Sequence, residues 1–142
     1  MNLGKPKVAE KVNLHSSVTS QRSVADILAS QGPISIIEFV HTCIEEAHHL
    51  RTSDLHFEPT EHDVRLRLRI DGVLHDKCTF PKTILSEVIS RIKVLSNLRT
   101  DEHQAAQDGR FRMTVQSGAP IDIRVSITPT YYGENAVLRL FG

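Results

Sequence analysis

Aromatic side chains are scarce in this sequence, at 5% of 142 residues. That argues against a single-strand nucleic-acid platform, on which bases stack over interleaved rings. Only two cysteines are present, Cys43 and Cys78, with no C-x-x-C pair. A short secreted scaffold would carry more of them for disulfides, so a reducing cytoplasm fits best. Neither sign of charge dominates, with Lys+Arg and Asp+Glu at 17 each, and the overall field steers toward neither nucleic acid nor anionic lipid. No run approaches the roughly 20 apolar residues that span a bilayer, and Met1-Asn2-Leu3-Gly4-Lys5 lacks the apolar core of a signal peptide. A soluble, unexported chain is expected. Also missing is the phosphate-binding loop G-x-x-x-x-G-K-[ST], whose backbone N–H groups and lysine hold phosphates; the only Gly-Lys pair, Gly4-Lys5, is followed by Pro6. Autonomous ATP hydrolysis is therefore not expected, and no segment fits a nucleophile elbow.

What is present suffices for one domain, since the commonest domain size is roughly 100 to 150 residues. Residues 1–34 read as a flexible leader: 1–22 are polar and aperiodic, and Val24, Ile27 and Leu28 allow a short helix before Gly32-Pro33. Residues 35–142 read as the domain. Ser35-Ile36-Ile37-Glu38 fits a helix-start capping box, and Ile36, Val40, Cys43, Ala47 and Leu50 continue as an apolar stripe to about Arg51. Val64, Leu66, Leu68 and Ile70 alternate with Arg65, Arg67 and Arg69, and Asp71-Gly72 turns into Val73-Leu74, which makes a hairpin with an arginine-rich outer face. Pro81 is expected to start a second helix, striped by Leu85, Val88, Ile92 and Leu95 and running to about Leu98. A second hairpin pairs Phe111, Met113 and Val115 with Ile121, Ile123, Val125 and Ile127, Thr128-Pro129 ends it, and Tyr132 to Asn135 turns into a last strand, Ala136 to Leu140. The fold class is α+β, with a mainly antiparallel sheet carrying helices on one face.

Three clusters invite chemistry. Asp54, His56 and Glu58 alternate, so a short strand would aim three potential metal ligands to one side, but the H-x-E deaminase pattern needs a later P-C-x-x-C that is absent. They read as a polar network at the helix-to-strand junction. His41, His48 and His49 read as helix-surface histidines, because helical zinc pairs are spaced i, i+4. No metal site is assigned. Arg65, Arg67 and Arg69 share one sheet face and read as an interface or solvated face paired with carboxylates.

Six segments, in order, carry a resemblance. They are Ser53-Asp54-Leu55-His56-Phe57-Glu58-Pro59, Arg67 to Leu74, Ser90 to Leu95, Gln107-Asp108-Gly109-Arg110, Asp122 to Ser126, and Gly133 to Leu140. Together they resemble the PAS-like N-terminal domain that precedes the catalytic core of type II secretion and type IV pilus assembly ATPases, from about Ile36 to Gly142. One departure is that His103-Gln104 and Ala105-Ala106 stand where the family has a basic pair and a proline.

The resemblance implies a PAS-like fold and a longer parent protein, a hexameric ATPase whose P-loop domain binds ATP and Mg2+. This fragment would be no enzyme by itself and would bind no cofactor tightly. The implied partners are its own catalytic domain, neighbouring subunits of a homohexamer and inner-membrane platform proteins, with no nucleic acid. The implied location is the cytoplasm, peripheral at the inner membrane through those partners. Arg110 and Arg124 match arginines that reach ATP phosphates in the family, with Arg139 as a third. A guanidinium suits that task because its planar donors bind phosphate oxygens bidentately and keep their charge. Without the resemblance, Arg110 and Arg124 read as solvated arginines on strand edges. The alternative for the whole chain is a stand-alone PAS-type sensor with a small molecule in its core.

Overall fold

The computed structural model describes residues 22–142. The part of the expected leader in residues 1–21 lies outside the described residues. The short helix before Gly32 is present as α1, Val24–Ala29, started by a capping box between Ser23 and Asp26. Its Val24 and Ile27 are buried, the Val24 N–H donates to a Glu46 carboxylate oxygen at 2.8 Å, and Arg22 bridges Glu38 at 2.6 Å. Residues from Arg22 onward are thus tied to the domain.

Helix α2 spans Ile36–His49, and the Ser35 hydroxyl accepts from the Glu38 N–H as the capping pattern requires. Phe39, Val40, Cys43, Ile44 and Ala47 form its buried stripe. The chain leaves α2 through Arg51 at φ 60 and enters a six-stranded sheet. The strands are β1 (Asp54–Pro59), β2 (Asp63–Ile70), β3 (Val73–Pro81), β4 (Gln107–Thr114), β5 (Pro120–Thr130) and β6 (Gly133–Phe141). Their order is β3-β2-β1-β6-β5-β4 with every pairing antiparallel, so two three-stranded meanders join along β1 and β6.

Alternation decides the two faces. Leu55, Phe57, Val64, Leu66, Leu68, Ile121, Ile123, Val125, Ile127, Ala136 and Leu138 are buried in the same core as the helix stripes. Residues of the opposite parity form an open face. Phe39, Phe57 and Phe80 meet edge-to-face at 5.1 and 6.3 Å between centroids, filling the core beneath the β1–β3 half. This is the α+β arrangement of antiparallel sheet and one-sided helices that the sequence pattern implies.

Boundaries differ where local signals competed. Pro81 does not open a helix; β3 runs through it, a 3-10 turn follows at Lys82–Ile84, and α3 spans Leu85–Leu95. A helix to Leu98 is precluded by Asn97, which adopts φ 60. Strand β5 passes through Thr128-Pro129, where Pro129 pairs with Glu134. Proline is tolerated there because β4 reaches only to the level of Ile127, leaving that side of β5 unpaired. The turn is accordingly Tyr131-Tyr132, and Gly133 to Asn135 belong to β6.

Candidate functional site

The register aligns the three arginines singled out in the sequence. Arg110 on β4 lies directly opposite Arg124 on β5, and Arg124 lies directly opposite Arg139 on β6. The row continues through Asp54 on β1 to Arg69 on β2. All five belong to the open face. The row therefore holds four guanidinium groups and a single carboxylate.

That carboxylate is committed at one end. Arg139 donates to an Asp54 oxygen at 2.9 Å, and Arg69 approaches the other oxygen at 3.4 Å. Asp54 is buried between them. Arg139, although exposed, has its pKa raised above the ordinary arginine value by this hydrogen bond and charge. Arg110 and Arg124, both exposed, make no ion pair among the described residues. The Arg124 guanidinium instead sits 5.1 Å over the Phe141 ring, which limits where it points. Neighbouring Arg112 is spoken for, donating to Asp122 at 2.8 Å; that bond chiefly, with weaker help from Arg110 and Arg124, holds the Asp122 carboxyl below its ordinary value. Like charges directly opposed across a ladder are destabilising, so Arg110 and Arg124 leave a cationic site open to an anion.

The loop before β4 places Arg110. Gln107 accepts from the Arg99 N–H at 3.0 Å and donates back to the Arg99 carbonyl at 3.2 Å. Gly109 packs so closely on the end of α3 that a Cβ would stand 2.9 Å from the Ser96 carbonyl oxygen and from Leu98 Cδ2. Fully buried Lys93 pairs with Glu134 at 2.8 Å and donates to the Glu102 carbonyl, while His103 Nδ1 lies 3.0 Å from the other Glu134 oxygen. The loop before β4 is thus pinned to β6 through His103. Neither Lys93 nor Glu134 stood out in the sequence, because a lysine beside an apolar stripe reads as solvated.

Of the three clusters singled out in the sequence, the strand carboxylates and the β2 arginines form ion-pair networks. Of the α2 histidines only His41 is paired among the described residues, His48 being half-buried and His49 exposed. Glu58 meets Arg67 at 3.5 Å and His56 at 3.5 Å, while Asp76 takes Arg65 and Arg67 at 3.2 Å each. Desolvation lowers the His56 pKa despite Glu58 and Asp54. His41 pairs with Glu45 at 3.3 Å, and burial lowers its pKa too. The arginine-rich outer face of β2 is thus paired with carboxylates, and Asp54, weighed in the sequence as a metal ligand, serves arginines.

Beside the arginine row, a shallow depression on the open face is lined by Asp108, Arg124, Ser126, Val137, Arg139 and Phe141. Among the described residues no helix is long and apolar enough to cross a membrane.

Known proteins resemble this chain over most of its length. A family model described as type II/IV secretion system protein matches residues 29–142. The type II secretion system protein E of Xanthomonas campestris is 39% identical over 133 residues, covering 94% of this chain and 23% of that protein. The type IV pilus assembly ATPase PilB of Thermus thermophilus is 45% identical over 103 residues, covering 72% of this chain and 12% of that protein. The X-ray structure of the Legionella pneumophila ATPase DotB shares the fold, with a TM-score of 0.51 at 16% identity over 79% of this chain and 31% of that one. The chain spans less than a quarter of the length of the two curated relatives.

Proposed function

This chain belongs to the type II/IV secretion system protein family, and from that membership we propose that it is the N-terminal, PAS-like domain of a secretion or pilus-assembly ATPase, lending Arg110 and Arg124 to the phosphates of ATP. The observation that carries the reading is the pair itself: two exposed guanidinium groups, directly opposed and without a carboxylate, beside a third that Asp54 holds. The ATP and its Mg2+ would be held chiefly by a P-loop domain elsewhere in a longer protein, because this sequence has no such loop. Arginines supplied from outside stabilise charge that develops on the transferred phosphoryl group. The chain by itself is then no ATPase and holds nucleotide weakly.

The same reading makes the catalytic domain and the neighbouring subunits of a hexamer the partners of the open face, and puts the assembly at the cytoplasmic side of the inner membrane through platform proteins. Arg139 plays a supporting part, since its charge is already shared with Asp54. In the longer ATPase, Arg110→Ala or Arg124→Ala should depress turnover at least ~10-fold, well within the effect of removing such an arginine, with thermal unfolding of the domain unchanged. Normal turnover in both variants would remove the phosphate contact.

A further inference from the structure

The antiparallel register puts a second row beside the arginines. Asp108 on β4 lies directly opposite Ser126 on β5, and Ser126 lies directly opposite Val137 on β6. Each is two residues along its strand from Arg110, Arg124 and Arg139 respectively, hence on the same face and roughly 6.6 Å away along the strands. These three residues line the depression that Arg124, Arg139 and Phe141 close on the other side.

The chemistry of the second row differs from that of the first. An ionised Asp108 is an acceptor only, and among the described residues it makes no hydrogen bond or ion pair. Its ligand must therefore be a donor. In the first row Arg110 and Arg124 offer donors alone, and their ligand must be an acceptor. A molecule that presents anionic oxygens to Arg110 and Arg124 and, one strand repeat away, hydroxyl donors to Asp108 is a phosphorylated sugar. A carboxylate on the paired hydroxyls of a ribose is a recurrent solution in nucleotide sites. Ser126 can donate or accept beside it, and Val137 supplies apolar floor.

We propose that Asp108, with Ser126, binds the ribose hydroxyls of the nucleotide whose phosphates lie on Arg110 and Arg124. The inference rests on the phosphate reading above and adds to it a residue that tells ribonucleotides from their deoxy analogues. The carboxylate's repulsion of phosphate oxygens is the reason it sits one step along the strand, outside the arginine row.

The test uses the 142-residue chain, titrated at low ionic strength with tripolyphosphate, ATP and 2′,3′-dideoxy-ATP while backbone amide resonances are followed. Tripolyphosphate should move the resonances of Arg110 and Arg124. ATP should bind about fivefold tighter than the dideoxy analogue, a margin typical of one net hydrogen bond, and should move Asp108 and Ser126 as well. In Asp108→Ala, an exposed substitution that removes the acceptor and is verified by an otherwise unchanged spectrum, that margin should vanish while tripolyphosphate binds at least as tightly. Equal affinities for ATP and the dideoxy analogue in the unmodified chain, or a margin that survives Asp108→Ala, would overturn the ribose assignment and leave the arginines' role standing. No response of Arg110 and Arg124 to any of the three ligands would overturn both.

Discussion

Asp54 and Arg139, 85 residues apart in sequence, meet at 2.9 Å across the β1–β6 junction that joins the two halves of the sheet. The contact decides which arginines remain available. Asp54 holds Arg139 and Arg69 together, so the excess charge of the row falls on Arg110 and Arg124. Replacing Asp54 with Asn keeps a hydrogen-bond acceptor of the same shape but removes the anion. The expected result is stronger tripolyphosphate binding, by about threefold as Arg139 joins the pair, together with a lower unfolding midpoint. Isothermal calorimetry and urea titration measure the two, and unchanged affinity would show that Arg139 stands outside the site.

Lys93 and Glu134 make the opposite case, a buried pair whose partners cannot be separated cheaply. Glu134→Ala strands an ammonium that has no exposure, and should cost about 3–5 kcal/mol. Lys93→Met, which removes the charge and keeps the bulk, should cost less than half of that. Urea midpoints of the two variants check the order; a milder effect of Glu134→Ala would contradict the geometry.

Gly109→Ala should destabilise the domain by about 1–3 kcal/mol, because one of the atoms its Cβ meets is the Ser96 backbone oxygen, which cannot rotate away. The strain falls on the residue just before Arg110. A thermal melt that matches the parent chain would mean the end of α3 can shift to make room.

Acid should weaken the fold through two histidines. Burial lowers the pKa of His41 and of His56 below their ordinary 6.5, so between that value and their folded values the unfolded chain binds more protons. Their contribution is level above about pH 7 and is lost as pH falls from 6.5 through the folded values. His41→Gln/His56→Gln should flatten the stability profile between pH 7 and pH 5 relative to the parent chain, measured as urea midpoints. An equally steep profile would place the dependence elsewhere.

Much of this was legible in residue order. Alternation from Val64 to Ile70 announced β2, and Asp71-Gly72 announced its turn, where φ values of 52 and 80 match the left-handed pair such a turn needs. Arg110 and Arg124 could be picked out from family-like segments. Their opposition could not, because register depends on where β4 starts, and that is set by Gly109 packing on α3 and by Gln107 bracing Arg99. Strand β3 was hidden beyond Leu74, since His75, Asp76 and Lys77 on an edge strand carry no alternation. Nor could local pattern show that Lys93 is buried. Its burial comes from the 99–106 loop and from Glu134, both distant from it in sequence.

Whether Arg110 and Arg124 act on nucleotide phosphates is measured most directly by the kcat of the longer ATPase carrying Arg110→Ala/Arg124→Ala, compared with Arg112→Ala. Arg112 shares the strand and face of Arg110 but is occupied by Asp122. In the double variant kcat should fall at least ~100-fold and in the control it should stay within about twofold, with both variants folded and assembled. Equal kcat in the double variant and the control would contradict the phosphate role.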